Sequence, residues 1–311
     1  KMKKLLTIFG LINFVFYGFA QQIYVVDPSG SGDFNTISAA FTTLNALNGN
    51  LPDGGVIVKI KAGEVYNENP PTLTIAATAV KPVIIQRDGD GSNPVIKTQN
   101  SSDDIYVLNL SNCAYITWDG IDIDDPNPSD NEFYQAAAYI SASSNIVIKN
   151  STFSNFSRYG IYQTGTSSNN HYIANTLFFS PEFRTPRSNV YGIYVVYNAS
   201  ADSVVIDRNK IFNLHRSSIG PIRVARVRSW ITNNMIYISD SAKIVQGIRL
   251  DGGAENRTIY AYHNTVVLAG GATDESYSLY FTGNDGTFRV KNNIFINYRT
   301  HETLLNQNAV F

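Results

Sequence analysis

A strand-like phrase that ends in a tyrosine or an arginine recurs along the chain. It occurs as Gly160-Ile161-Tyr162, Gly192-Ile193-Tyr194, Pro221-Ile222-Arg223, Gly247-Ile248-Arg249 and Ser278-Leu279-Tyr280. Because side chains alternate across a strand, each aliphatic residue should point inward and the residue after it outward. The pattern predicts one outward column, which a tyrosine between Ala138 and Ile140 extends at its start: Tyr139, Tyr162, Tyr194, Arg223, Arg249 and Tyr280.

The chemistry of this column suits an acidic sugar polymer. Tyrosine offers flat apolar ring faces to sugar rings, and arginine offers a planar fork to carboxylate or sulfate groups. Neighbouring strands lie about 4.8 Å apart, so five such residues span roughly 20 Å, the length of a few sugar units. We therefore expect an extracellular polysaccharide as the partner, bound by these six residues and by Asp251, which follows Arg249 by two positions.

The same column also has a structural explanation. Tyrosines stacked on neighbouring strands stabilise a sheet by cross-strand packing, and an arginine can lie along a sheet with its stem buried. The residue pattern alone leaves both explanations open.

A second recurring phrase, centred on asparagine, indicates which elements position the column. Its asparagines recur at intervals of 24 to 34 residues: Asn150, Asn175, Asn209, Asn233, Asn264 and Asn292. A period in this range, with alternation inside each unit, is typical of a solenoid of short strands. Asparagine tolerates left-handed backbone angles and its amide can bond to the next coil. We therefore interpret these asparagines as turn formers rather than ligand-binding residues.

The beginning of the chain resembles a signal peptide. Lys1, Lys3 and Lys4 precede an apolar run from Leu5 to Phe19, and small residues follow it. This pattern predicts a signal peptide over 1–20 and a secreted or cell-surface protein. Residues 21–311 are then expected to form one domain, and no later stretch is long and apolar enough to span a membrane.

The two ends of the predicted solenoid differ. Apolar residues recur at helical spacing from Ile37 to Leu47, which predicts an N-terminal capping α-helix over about 36–47. At the other end, Asn308-Ala309-Val310-Phe311 is typical of the start of a further strand. No closing helix follows, so we expect the sequence to be truncated at its C-terminus.

Composition and charge exclude several classes of function. The formal net charge is −1, which does not favour nucleic acid or an anionic membrane as a partner. Cys113 is the only cysteine and lies in a strand-like segment, so we interpret it as a small buried hydrophobe. We expect a monomer.

Acidic and histidine residues do not form a metal-binding pattern. Five aspartates lie near one turn and are more typical of a solvated loop than of a Ca²⁺ site: Asp119, Asp122, Asp124, Asp125 and Asp130. Four histidines lie in different coils without metal-type spacing: His171, His215, His263 and His301. We predict neither a metal site nor a cofactor, and Ca²⁺ is the one ion that this interpretation leaves open.

Two N-terminal segments resemble a known family. Ser31-Gly32-Asp33-Phe34-Asn35-Thr36-Ile37 and Ile60-Lys61-Ala62-Gly63-Glu64-Val65-Tyr66-Asn67-Glu68 are similar to the entrance of pectin methylesterases and of pectate-lyase-like β-helices. The resemblance implies an all-β, right-handed parallel β-helix in which the first strand of each coil lines the substrate cleft. The methylesterase catalytic segments have no counterpart in this chain.

The same resemblance raises the question of catalysis. Lyases of this fold remove a proton beside a uronate carboxylate with a basic residue and often Ca²⁺, which implies Arg249 or Arg223 as base and Asp251 as a Ca²⁺ ligand. One aspartate offers too few oxygens for Ca²⁺, and an arginine base needs strong tuning because its pKa exceeds about 12. We therefore favour a non-catalytic or adhesin-like protein that binds an acidic polysaccharide. The alternative is a polysaccharide lyase with an incomplete catalytic set.

Overall fold

The protein is described by a computed structural model that covers residues 21–98, 105–124, 135–165, 170–180, 189–196, 203–239, 242, 244–252, 257–271, 276–283, 286–299 and 302–305. Within these residues one helix, α1 (Ile37–Ala46), accompanies strands that form three parallel sheets. The predicted signal peptide (1–20), the segment Asn308 to Phe311, Asp125, Asp130 and His301 lie outside the described residues.

From Tyr106 to Asn297 each turn of the chain contributes one strand to each of the three sheets, whereas the strands before Tyr106 belong to two of the sheets only. Sheet 1 contains β6 (Tyr106–Ser111), β9 (Ala136–Ser141), β12 (Tyr159–Thr164), β15 (Asn189–Val196), β18 (Ser218–Ala225), β21 (Ile244–Asp251), β24 (Ser276–Thr282) and β27 (Glu302–Leu305). Sheet 2 contains β1 (Gln22–Val26), β2 (Val56–Lys61), β4 (Val83–Asp88), β7 (Ala114–Asp119), β10 (Ser144–Lys149), β13 (His171–Ala174), β16 (Ser203–Asp207), β19 (Arg228–Thr232), β22 (Thr258–Tyr262) and β25 (Thr287–Lys291). Sheet 3 contains β3 (Val65–Asn67), β5 (Val95–Lys97), β8 (Asp122–Asp124), β11 (Thr152–Ser154), β14 (Leu177–Ser180), β17 (Lys210–Leu214), β20 (Met235–Ile238), β23 (Thr265–Leu268) and β26 (Ile294–Asn297).

This order of strands defines a right-handed parallel β-helix, which confirms the predicted fold class. From β6 on, the chain passes from sheet 1 to sheet 2 to sheet 3 and returns to sheet 1 one strand further along. In the described residues no helix is long and apolar enough to cross a membrane.

The core is a set of aliphatic columns inside the three sheets. The inward positions predicted for sheet 1 are fully buried: Ile161, Ile193, Ile222, Ile248 and Leu279. Register pairing places them on neighbouring strands. The predicted inward stack is therefore confirmed, and the residues beside it must face outward.

Helix α1 covers the N-terminal end of this core, as predicted. Four residues on one side of the helix are buried in the core: Ile37, Ala40, Phe41 and Leu44. Thr36 is the N-cap, and its hydroxyl accepts a hydrogen bond from the Ala39 amide at 3.1 Å. The Glu68 carboxylate accepts from the Ile37 and Ser38 amides at 2.8 and 2.7 Å, so a negative charge lies at the positive end of the helix dipole.

The turn from sheet 2 to sheet 3 contains two adjacent columns of residues instead of the single asparagine column expected. The first column has left-handed backbone angles, with φ between 48° and 58°, at Asn150, Asn175, Arg208, Asn233, His263 and Asn292. The residue after each of these belongs to the second column, which includes Asn209, Asn234, Asn264 and Asn293. The recurring phrase mixed both columns because Asn233-Asn234 and Asn292-Asn293 offer two asparagines at one turn.

The four asparagines of the second column form a continuous chain of amides, of which Asn209, Asn234 and Asn264 are buried. Asn234 Oδ1 accepts from both the backbone and the side-chain nitrogen of Asn209, each at 3.0 Å. Asn264 Oδ1 accepts in the same way from Asn234, and Asn293 Oδ1 from Asn264. Each amide also donates to a backbone carbonyl of the preceding coil, as Asn234 does to Ile206 at 2.9 Å. These hydrogen bonds therefore fix the register of neighbouring coils along the axis of the β-helix.

Replacement of Asn234 by alanine should destabilise the protein strongly. The Asn234→Ala variant leaves the Ile206 carbonyl and two Asn209 donors buried without their partner, so we expect the free energy of unfolding to fall by about 3 kcal/mol. Denaturant titration measures this change. The control is Asn292→Gly in the left-handed column, where glycine is conformationally suited and the expected change is below about 0.5 kcal/mol. Equal effects of the two variants would contradict a special role for the amide chain.

Candidate functional site

The structure aligns the predicted column on the outer face of sheet 1. Parallel pairing places its six members in register on neighbouring strands: Tyr139, Tyr162, Tyr194, Arg223, Arg249 and Tyr280. All six are partly exposed. The predicted alignment is confirmed, and the column spans about 24 Å over six strands at the usual spacing. The binding role of these residues stays a prediction.

A second row of tyrosines lies beside the column, three residues upstream on the same strands. Tyr159 stacks on Tyr162, with ring centroids 4.5 Å apart and ring planes 13° apart. Residues three apart normally point to opposite sides of a strand. Here Gly160 and Ile161 are both buried, so the alternation is interrupted and Tyr159 and Tyr162 lie on the same side. A β-carbon on Gly160 would lie 2.4 Å from the Phe178 ring, so glycine is required for this second inward position. Sequence reasoning missed this row, although the spacing of two tyrosines by three residues occurs in β12, β15 and β24.

The tyrosine rings turn their faces toward one another. Tyr162 and Tyr194 have centroids 5.6 Å apart with planes at 12°, and Tyr191 and Tyr194 have centroids 4.9 Å apart with planes at 21°. The flat faces expected to receive sugar rings are therefore occupied by neighbouring tyrosines. The reason is that the strand spacing of about 4.8 Å is close to the distance at which aromatic rings stack. The hydroxyl-bearing edges are what the column presents to a ligand.

Asp251 joins the two arginines of the column. Its Oδ2 atom accepts a hydrogen bond from Arg223 Nε at 2.8 Å, and its Oδ1 atom accepts from Arg249 Nε at 2.7 Å. The Asp251 side chain is 10% exposed, whereas the two arginine side chains are 21% and 24% exposed. The carboxylate is thus the buried member of the cluster, and the cluster keeps a net positive charge. We call these three residues the arginine clamp.

Tyrosine rings and a glutamine hold the two guanidinium groups from other sides. The Arg223 guanidinium lies 4.7 Å from the centre of the Tyr194 ring, and that of Arg249 lies 5.3 Å from the centre of the Tyr280 ring. Arg249 Nη1 also donates to Gln246 Oε1 at 3.0 Å. The Nη2 atom of each arginine makes no hydrogen bond to any residue that the structure describes. Two oriented donors therefore remain for an anion.

The surroundings favour the protonated forms of the titratable groups. Burial opposes the charge on Arg223, but the nearby Asp251 carboxylate outweighs it and raises the pKa of this guanidinium above its usual value. For the hydroxyls of Tyr159 and Tyr194, burial opposes the charged, deprotonated form and so raises the pKa. A general base must be able to lose its proton near the working pH. None of these three groups meets that requirement.

Asp251 does not have the surroundings of a cation ligand. Guanidinium groups occupy both of its oxygens, which places positive charge where Ca²⁺ would have to bind. Asp119 pairs with Lys149 at 3.1 Å, and Asp122 and Asp124 accept hydrogen bonds from the next coil. In the described parts of the chain, no three His, Cys, Asp or Glu residues are grouped so that they could hold a metal ion.

Two other residues singled out in the sequence are buried in the structure. Cys113 is a free, buried cysteine, as interpreted, and burial raises the pKa of its thiol to about 12. His171 is 2% exposed, and burial lowers its pKa to about 3, so the ring is neutral at ordinary pH. Both residues therefore belong to the interior of the β-helix rather than to the outer face of sheet 1.

Comparisons with known proteins found similar solved structures but no similar sequence. No protein-family model matches the chain, and no curated protein sequence matches it. The structure is similar to that of pectate lyase Pel9A, with 13% identity and a TM-score of 0.46 over 89% of this chain and 79% of that one. It is also similar to the GH136 lacto-N-biosidase from Eubacterium ramulus, with 12% identity and a TM-score of 0.46 over 89% and 68% of the two chains.

A third similar structure is that of the alginate lyase from Paenibacillus sp. str. FPU-7. Identity is 10% and the TM-score is 0.44, over 86% of this chain and 96% of that one. At such levels of identity the likeness concerns the fold alone, so any function must be argued from the site of this chain.

Removal of the Asp251 charge should destabilise sheet 1. In Asp251→Asn two adjacent guanidinium groups lose their shared counter-charge, so we expect the free energy of unfolding to fall by about 2 kcal/mol. The same substitution at Asp119, whose partner Lys149 is 36% exposed, should cost less than about 1 kcal/mol. Denaturant titration of both variants tests the difference. If both cost the same, the clamp has no special energetic role.

Proposed function

We propose that the protein binds an acidic polysaccharide along the outer column of sheet 1 and does not cleave it. The binding residues are the arginine clamp and four tyrosines: Tyr139, Tyr162, Tyr194 and Tyr280. We further propose that the protein acts as a monomer outside the cell, either secreted or at the cell surface. This location is inferred from the signal-peptide pattern of residues 1–20.

The arginine clamp is the observation that supports this proposal most. Asp251 engages the Nε atom of both arginines, which fixes their direction and leaves Nη2 donors at the surface. A planar guanidinium that is already oriented loses little side-chain entropy when it binds a carboxylate or sulfate. Two arginines on adjacent strands therefore provide prepositioned donors for the acidic groups of a polymer.

The tyrosines extend this site on both sides of the clamp. No hydroxyl of the four column tyrosines has a hydrogen-bond partner among the residues that the structure describes. These hydroxyls are available to sugar hydroxyl groups as hydrogen-bond donors and acceptors. The stacked rings are held rigidly by their neighbours, so the ligand meets a preformed surface.

The same geometry favours binding over the alternative, β-elimination by a polysaccharide lyase. A lyase base must take a proton, whereas Arg223 pairs with Asp251 and has a raised pKa. Arg249 is paired with the same carboxylate. The clamp thus stabilises positive charge and offers no free base, which suits recognition of an anion.

Neutralisation of the clamp should abolish retention on an acidic glycan. The triple variant Arg223→Gln, Arg249→Gln, Asp251→Asn keeps polar side chains but removes all three charges, so no unpaired charge is buried. We expect affinity for polygalacturonate to fall about tenfold to hundredfold, since two charge-assisted contacts are lost. Affinity electrophoresis measures this, and the melting temperature shows whether the variant is folded. A folded variant with unchanged retention would refute the proposed site.

The alternative has its own test. The wild-type protein is incubated with polygalacturonate or alginate in the presence of Ca²⁺ while the absorbance of unsaturated sugar products is followed. We expect no increase, because the clamp lacks a free base. A steady increase that the triple clamp variant abolishes would establish the lyase instead.

A further inference from the structure

Sheet 2 has an aromatic and basic surface of its own in the second half of the β-helix. Trp230 and Tyr260 lie in register on adjacent strands, with ring centroids 5.6 Å apart and planes 6° apart. Tyr262 packs edge-on against Tyr260 at 5.7 Å. Arg289, next in register, has its guanidinium 5.7 Å from the centre of the Tyr260 ring. This surface lies on β19, β22 and β25, outside the column of sheet 1.

Three cations on this surface have no carboxylate within ion-pair distance among the described residues. They are Arg228, Arg289 and Lys291, and all three are exposed. We call them, together with Trp230, Tyr260 and Tyr262, the aromatic–basic face. The carboxylate Asp207 on neighbouring β16 is already paired with Arg208 at 3.0 Å. The face is therefore net positive.

The first half of the same sheet is built differently. There Lys59 pairs with Asp88 and Lys149 pairs with Asp119, each at 3.1 Å. Both halves share the fold and the strand spacing, so the fold does not require cations without partners. Arg87 in the first half also lacks a carboxylate partner, but its guanidinium donates to the Gly91 carbonyl at 2.9 Å and to Asn93 Oδ1 at 3.3 Å. Among the described residues, a group of several cations with neither kind of partner occurs in the second half of sheet 2, and it calls for an anionic partner.

Hydroxyl groups surround the cations of this face. Thr258 and Thr287 face outward on β22 and β25 in register, and the tip of Tyr262 lies on the same side. Hydroxyls that both donate and accept suit a ligand rich in hydroxyls, and aromatic edges beside cations suit sugar rings that bear acidic groups. The surface thus combines charge with the polar groups that a sugar polymer can use.

We propose that the aromatic–basic face is a second binding surface, which takes a stretch of an acidic polysaccharide through carboxylate or sulfate groups. It is separate from the column of sheet 1, because different strands and side chains form it. The two surfaces meet at a short edge, since only Arg226 and Val227 separate β18 from β19. One polymer chain can therefore contact both sheets, and its binding to one surface raises the effective concentration of the polymer at the other surface.

A polysaccharide fits this face better than nucleic acid or a membrane. Three cations over three strands neutralise few phosphates, and the net charge of the whole chain is −1. A membrane-binding face needs apolar side chains that insert, whereas the rings here stack on one another and are flanked by threonines. Duplex DNA and anionic vesicles are included in the test below.

The test neutralises two cations on each of two sheets. The test variant is Arg228→Gln with Arg289→Gln, and the control is Lys97→Gln with Lys210→Gln on sheet 3, which changes the net charge equally. Binding to polygalacturonate, dextran sulfate and neutral dextran is measured at low salt. We expect the test variant to lose about tenfold in affinity for an acidic polymer, the effect of two exposed ion pairs, and the control less than about twofold. The melting temperatures should not change.

Each outcome separates this inference from the proposed function. Loss in the sheet 2 variant with no loss in the clamp variant supports the aromatic–basic face and overturns the site on sheet 1. The reverse result overturns the aromatic–basic face. Equal losses in the test and control variants also overturn it, because only overall charge would then matter. If the test variant binds duplex DNA or phosphatidylserine vesicles more weakly than the wild type, but binds both acidic polysaccharides unchanged, the proposed ligand class is overturned.

Discussion

In-register parallel stacking is the constraint on which the rest of this protein depends. Each strand pairs with the equivalent strand of the next coil about 4.8 Å away, so residues at equivalent positions become neighbours whether or not they attract one another. Aliphatic residues turn this into a continuous core. Side-chain amides from Asn209 to Asn293 fix the register of neighbouring coils by hydrogen bonds between them. Every feature of the outer faces follows from this enforced proximity.

The same constraint explains the arginine clamp. Stacking places Arg223 directly beside Arg249, where two partly buried like charges would repel each other. Asp251 resolves this conflict, because one buried carboxylate bonds to both guanidinium groups. The tyrosines respond to the same spacing in another way, since their rings stack face to face. The outcome is a rigid surface whose available groups are hydroxyls and Nη2 donors rather than open ring faces.

Much of the architecture could be predicted from residue patterns, but several contacts could not. Alternation along strands identified the inward stack at Ile161 and its equivalents, and helical spacing identified α1. The pattern did not show that Tyr159 and Tyr162 share a face, because this requires Gly160 to pack against Phe178 of another sheet. Nor did it show which asparagine of a pair bonds to the next coil. At Asn233-Asn234, the residue with left-handed backbone angles and the residue whose side-chain amide bonds to the next coil are both asparagines.

The sequence by itself determined the repeat, the inward aliphatic stack of sheet 1 and hence the membership of the outer column. These properties are local: they depend on alternation and on turn residues within one coil. Only the tertiary structure decided what the column can do. The pairing of Asp251 with both Arg223 and Arg249, and the cations without carboxylate partners within the described part of sheet 2, arise from distances between coils. Those distances depend on coil length and register, and neither can be read from the residues of a single strand.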